Sequence, residues 1–349
     1  MNVFFGAVLK LAGMKLYWLP SRVARLVWGV STNFPRQIEM FHVLNNAVFA
    51  GTISGDPLFP FRYLNQNYLT CKLTVTERAS SFLHHYSRLN TLLSAPLLLQ
   101  ILHRDFTLLE IREGGDLYRI AMELSRSIYT EGELSLNLEV NGTAVFVLSF
   151  TIVPGRVVGL EVPDVLMITR LQGVRGSQRQ IRDVTKALHE VAPNALLVAA
   201  IQGIAKAFGI ANLAGICAAD HANYSDADST SFEEAYDDFW GELGATKNAA
   251  NFFLCSIPPK EKPLVLIRNG HKARTRKKRK FKQEIAVSVC QRLHEGCRVA
   301  PSDSTALIGR EYLGSRLAII SEHAIDSRTE VEAVRNSAAL SERILSEVE

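Results

Sequence analysis

The sequence predicts an α+β protein in which a helical N-terminal region packs on a mixed, mainly antiparallel sheet. Three observations carry that expectation. Apolar residues recur at three- and four-residue steps before residue 112, and they alternate with polar partners after Gly114-Gly115. Beyond residue 164 an apolar run passes through a glycine-bearing turn into a second helical pattern. The expected divisions are 1–112, mainly helical; 113–300, an α/β core ending in a basic helix; and 301–349, a partly helical or disordered tail with one aromatic, Tyr312.

Taken in order, residues 1–30 read as one or two short amphipathic helices broken near Pro20, with Lys10 and Lys15 interrupting the apolar stretch. GTISGDPLFP at 51–60 is loop chemistry. Leu83, Tyr86, Leu89, Leu92 and Leu93 share one helix face, and LLLQILHRDFTLLEI at 97–111 continues that pattern. In DLYRIAMELS the residues Tyr118, Ile120, Met122 and Leu124 alternate as in a half-buried strand. Leu134, Leu136, Leu138 and Val140 do the same, and Asn141-Gly142 then supplies the positive φ angles of a two-residue hairpin turn. Pro154-Gly155 and Pro163 separate that hairpin from VLMITRLQG. Helices are expected from about 178 to 190, stopping before Pro193, and over 194–208. LAGICA at 213–218 reads as a strand, and FFLCSI at 252–257 with PLVLI at 263–267 as a strand pair.

Composition narrows the class. A chain of 349 residues that is 47% hydrophobic and 21% charged builds a sizeable core, and a net charge of +4 argues for nothing globally. Locally, KARTRKKRKFK at 272–282 carries eight Lys or Arg, whereas residues 220–242 are strongly acidic. The five cysteines form no CxxC pair, which fits a reducing compartment, and no apolar run reaches the roughly 20 residues that span a bilayer. The expected location is cytoplasmic, with the inner membrane face as a peripheral site. GxSxG and HExxH are absent, so hydrolases and metalloenzymes gain no support. His84, His85, His103 and His189 lack carboxylate or cysteine partners at metal-ligand spacing, so no metal is expected.

The junction LQGVRGSQRQIRDVTKALHE carries the clearest chemistry. The first N–H groups of a helix have no internal partner and sit at the positive end of its dipole, so a strand–turn–helix makes an anion site. Gly173 and Gly176 let backbone approach a diphosphate, and Arg170, Gln172, Arg175 and Ser177 stand ready to contact it. The spacing is neither Walker A nor GxGxxG. It resembles the pyrophosphate loop of the GCN5-related (GNAT) acyltransferases: Arg170-Leu171-Gln172-Gly173 matches its first half, and the second glycine falls one place late, at Gly176. The duller reading is a glycine-punctuated loop whose arginines face water.

Several stretches also resemble the VirK/YbjX family of bacterial proteins: Tyr68-Leu69, LHHYSRL at 83–89, GELSLNLEVNG at 132–142, LQGVRG at 171–176, TKALHE at 185–190, Tyr236 to Trp240, and the basic helix after His271. Thr169 and Arg170 replace the family's usual Gly-Gly, and Ala192 stands where an arginine is usual. The resemblance implies roles in virulence, envelope and lipopolysaccharide remodelling, or stress response including DNA damage, with no reaction assigned.

Two functions follow as expectations. In the first, acyl-CoA is bound at 170–177 and its thioester lies between the 165–171 and 213–218 strands. His221 is then the base, Tyr236 or Tyr224 the acid, and Glu133 a weaker base candidate. In the second, a non-enzymatic protein uses Lys272, Arg274, Arg276, Lys277, Lys278, Arg279 and Lys280 on an anionic membrane, a lipopolysaccharide precursor or nucleic acid. Nucleic acid has the weaker claim, because Phe281 alone interleaves the cations. The bland alternative is a solvated helix paired with the 226–242 acids of its own fold.

Overall fold

The computed structural model describes residues 28–126, 129–222, 224 and 233–297. The amphipathic reading of 1–30 and that of the 301–349 tail therefore lie almost wholly outside the described residues.

After helical residues 28–32 come α1 (Phe34–Leu44), α2 (Ala47–Gly55), α3 (Val75–Leu92) and α4 (Ala95–His103). The α3 helix starts at a capping box, in which Thr74 accepts from the Glu77 amide and the Glu77 side chain accepts from that of Thr74. It buries Ala79, Phe82, Tyr86 and Leu89 along one face, where Phe82 and Tyr86 meet Phe59. The predicted helical run over 97–111 ends early, at His103. Its remainder is β1 (Phe106–Glu113), which turns back into β2 (Asp116–Leu124) through Gly114 and Gly115, both at positive φ. The apolar spacing of Leu108, Leu109 and Ile111 suits either period, and pairing with β2 decides it.

The hairpin of β3 (Leu134–Val140) and β4 (Thr143–Val153) turns at Asn141-Gly142 with φ of 51° and 80°, as expected. Leu134, Leu136 and Leu138 are fully buried. Next come β5 (Val165–Gly173), α5 (Gln178–Ala187), α6 (Pro193–Phe208) and β6 (Asn212–Ile216). A π turn at Glu234–Asp238 leads into α7 (Phe239–Glu242), then β7 (Thr246–Lys247), β8 (Phe252–Ser256) and α8 (Asn269–His294). The predicted strand at 263–267 is instead a 3-10 turn, Leu264–Leu266. Pro258, Pro259 and Pro263 remove the donors a ladder needs, and β8 pairs with β6 and β7.

The eight strands form one sheet in the order β1-β2-β3-β4-β5-β6-β8-β7. Every neighbouring pair is antiparallel except β5–β6, which is parallel and joined through α5 and α6. The fold is thus α+β, with a mixed, mainly antiparallel sheet. Apolar on most sides, α6 packs on β3, β4, β5 and α8. At the crossing with α8, a Cβ on Gly203 would sit 2.5 Å from the Ala286 carbonyl oxygen, so glycine sets the approach of the two helices.

Candidate functional site at the opening of the parallel strand pair

The parallel pair is short. β5 and β6 are in register from Leu166–Leu213 to Ile168–Gly215, after which β5 runs on to Gly173 paired with β4 only. At the point of divergence β5 bulges: Ile168 faces Phe150 and Arg170 faces Ser149, leaving Thr169 without a ladder partner. The strand order runs on unchanged from β5 to β6, so what separates the two carboxyl ends here is the divergence at the bulge.

Several polar side chains meet at this divergence, buried beneath the surface: Glu131, Tyr236 and His221 are 1%, 2% and 3% exposed. The Tyr236 hydroxyl accepts from the Leu171 amide at 3.4 Å, and its ring lies 5.1 Å from that of His221. The His221 Nε2 is 3.7 Å from one Glu131 carboxylate oxygen, and the Arg170 Nε is 3.3 Å from the other. With its amide oriented by hydrogen-bond complementarity, Gln172 accepts from the Arg170 Nε and Nη2 at 2.9 Å. The π turn holds Tyr236 in place: the Asp237 carboxylate accepts from the Ala218 amide at 2.7 Å and faces the Lys247 Nζ at 3.9 Å, so Asp237 is no idle solvated acid. Trp240 lies over Gly215, where a Cβ would meet its indole at 2.0 Å. Burial, with Arg170 beside it, holds the His221 imidazole down to about 4, so it is neutral at pH 7. Burial pushes the Tyr236 hydroxyl up, keeping its proton in place.

A strand–turn–helix follows, with Gly176 at φ 87° and open space around it; Gly173, expected to let a diphosphate approach, is instead covered by Ile181, whose Cδ1 lies 2.7 Å from where a Cβ would stand. Two of its amides are already used, Val174 donating to the Val145 carbonyl and Ser177 to that of Val174. Ser177 occupies the N-cap position without a side-chain capping bond. Arg175 is exposed, whereas Arg170 turns to Glu131 and Gln172.

Glu133 stands elsewhere. It is fully buried, bonded to the Tyr86 hydroxyl and 3.3 Å from the Arg62 guanidinium, which also reaches Asp56 at 3.1 Å. Burial raises its carboxyl, with Arg62 opposing. The carboxylate next to His221 is Glu131, two residues earlier. Gly132 between them, at φ 131°, breaks strand alternation and sends the two acids to separate clusters. The sequence signal was the run Glu131-Gly132-Glu133 itself, with a glycine that both its positive φ and its close approach to Ser149 and Phe150 on β4 require.

On α8 the fold supplies its own counter-charges. Arg274 and Lys278 reach Glu190, while Arg279 and Lys282 reach Glu261. Neither acid belongs to the 220–242 stretch. A further constellation joins α3 to the start of β5. The His84 Nε2 donates to Asp164 at 2.7 Å, and Arg88 holds the other oxygen of Asp164 at 2.7 Å. His84 thus has a carboxylate partner 80 residues away, which no local spacing discloses. It borders a cleft of about 550 Å³ with Ser80, Ser87 and Arg156, and Arg156 donates to the Ser80 hydroxyl at 2.8 Å.

A family model described as protein of unknown function (DUF535) matches residues 23–291. The chain belongs to the DUF535 family. The DUF535 match spans Glu131, the 170–177 turn, His221, Tyr236 and nearly all of α8. No curated protein and no solved structure matches the chain. No described helix of this DUF535 chain is long and apolar enough to cross a membrane.

Proposed function

We propose that the chain is an acyltransferase that takes its acyl group from a coenzyme A-type thioester at the β5–β6 opening. One observation carries the reading: the sheet's single parallel pair diverges at a bulge, beside a glycine turn, where Glu131, His221 and Tyr236 are gathered.

Diphosphate binding falls to the open backbone at Gly176, the Arg175 guanidinium and the first-turn amides of α5, since the Val174 and Ser177 amides are engaged. Neutral His221, steadied by Glu131, accepts the proton of the acceptor amine or hydroxyl as that group attacks the thioester carbonyl. The Leu171 amide, held by the Tyr236 hydroxyl at a long 3.4 Å, is the donor for the developing oxyanion. As the C–S bond breaks, Tyr236 protonates the departing thiolate and recovers its proton from His221. The resemblance to the VirK/YbjX family favours an envelope lipid or lipopolysaccharide precursor as acceptor, in keeping with a virulence or stress role.

Calorimetric titration with acetyl-CoA and long-chain acyl-CoAs tests the reading. Arg175→Glu is expected to weaken binding at least about tenfold, because it reverses a charge-assisted contact. Tyr236→Phe is expected to leave binding intact and slow acyl transfer about a hundredfold. Absence of binding by every acyl-CoA, or binding indifferent to Arg175→Glu, overturns it.

A further inference from the structure

The segment between β8 and α8 combines two features that rarely coincide without purpose. Val265 is 81% exposed and Leu266 63% exposed, on a 3-10 turn rather than a floppy tip. The turn is fixed against α8: the Lys262 carbonyl accepts from Arg279, and Glu261 pairs with Arg279 at 2.6 Å and Lys282 at 3.2 Å. With Lys262 anchored beside Arg279 and Asn269 opening the helix, residues 262–269 run back along the first turns of α8. Val265 and Leu266 are therefore displayed alongside its basic half.

Charge flanks the apolar pair along the chain on both sides. Lys260, Lys262, Arg268, Lys272, Arg276 and Lys277 take no ion pair among the described residues, whereas Arg274, Lys278, Arg279 and Lys282 are bound to Glu190 or Glu261. Ala273, Arg276, Lys277, Lys280 and Gln283 lie at helical steps and are all exposed, one stripe of α8 turned to solvent.

We propose that this turn and the free cations of α8 form a docking surface for an anionic lipid bilayer. Val265 and Leu266 enter the headgroup–acyl boundary while the lysines and arginines hold lipid phosphates. An aqueous protein gains nothing by fixing two bare aliphatic side chains among unpaired cations, and a bilayer surface satisfies both kinds of group at once. Nucleic acid satisfies only the charges, because aliphatic side chains offer no stacking face. The inference is independent of the acyl-transfer reading, since it uses none of the residues at the strand opening.

Vesicle co-sedimentation of the full chain tests it, with phosphatidylcholine alone or mixed with phosphatidylglycerol, at two salt concentrations. Binding is expected only to the anionic vesicles and to fall with salt. Val265→Ser with Leu266→Ser is expected to weaken it about tenfold, from the lost burial of two aliphatic groups. Arg276→Glu with Lys277→Glu is expected to weaken it at least as much. These positions are exposed, and unchanged circular dichroism and melting check that the variants fold. Equal binding to both vesicle types, or binding that ignores the Val265/Leu266 change, overturns the proposal. So does retention of single-stranded RNA with no binding to vesicles.

Discussion

At the scale of single residues, buried histidines give the fold an acid limit. The His85 Nδ1 accepts from the Ile152 amide at 3.0 Å, and burial holds this imidazole down to about 3, with His84 adding to the effect. His221 is held to about 4. Both folded values lie below the ordinary 6.5, so in mildly acidic solution the unfolded chain binds more protons than the native one. Their contribution is full above about pH 6.5 and is lost as pH falls toward 4 for His221 and toward 3 for His85, at about 1.4 kcal/mol per pH unit for each histidine. Urea midpoints across that range should show this slope, and His85→Gln should reduce it by about half. The Arg62–Glu133 pair makes a second forecast. Glu133→Ala takes from a buried guanidinium its buried carboxylate, leaving the half-exposed Asp56 and the Ser125 carbonyl among its partners, and should cost about 3–5 kcal/mol in equilibrium unfolding. Arg62→Met with Glu133→Leu should cost much less than the sum of the single changes. Glu133 could be offered as a base from its charge alone; its burial against Arg62 and Tyr86 was not legible. Whether a carboxylate is next to a histidine or an arginine depends on φ at Gly132, a property that sequence only hints at.

At the scale of elements, local chemistry was readable wherever turn residues fixed it. Asn141-Gly142 located the β3–β4 hairpin, and Gly173 with Gly176 located the passage from β5 to α5. Failures came where an apolar run suits two periods. Residues 104–111 continue the helical spacing of α4, yet β2 recruits them as an outer strand. PLVLI has strand composition, yet prolines keep it off the sheet and leave Val265 and Leu266 in solvent. The α6–α8 contact, which no local pattern announces, turns on Gly203. Gly203→Val would drive side-chain atoms into the Ala286 backbone, and about 1–3 kcal/mol of stability should disappear in a thermal or urea melt. Gly209→Ala, which closes α6 in the left-handed region with nothing nearby, should cost about 1 kcal/mol through backbone strain alone. Comparing the two separates crowding from conformation.

For the molecule as a whole, the chain's late residues complete its early ones. The Gly296 carbonyl accepts from the Ser94 amide, Cys297 bridges to Leu93, and Arg292 lies over Phe106 on β1. Helix α8 also covers Gly203 and its neighbours on α6. A chain ended before Asn269 should therefore lose cooperative unfolding, as judged by a broadened melt and dye binding to uncovered α6. Such closure between distant segments was invisible in composition, as was the meeting of Glu131, Arg170, His221 and Tyr236 from four separate stretches. The order of the strands also has a consequence for keeping company. At one border of the sheet, β7 contributes two residues, Thr246 and Lys247, the second a cation. A border so short and charged gives a foreign strand almost nothing to zip onto. Crowded copies of this chain should therefore stay clear of ribbon-like stacking along that side.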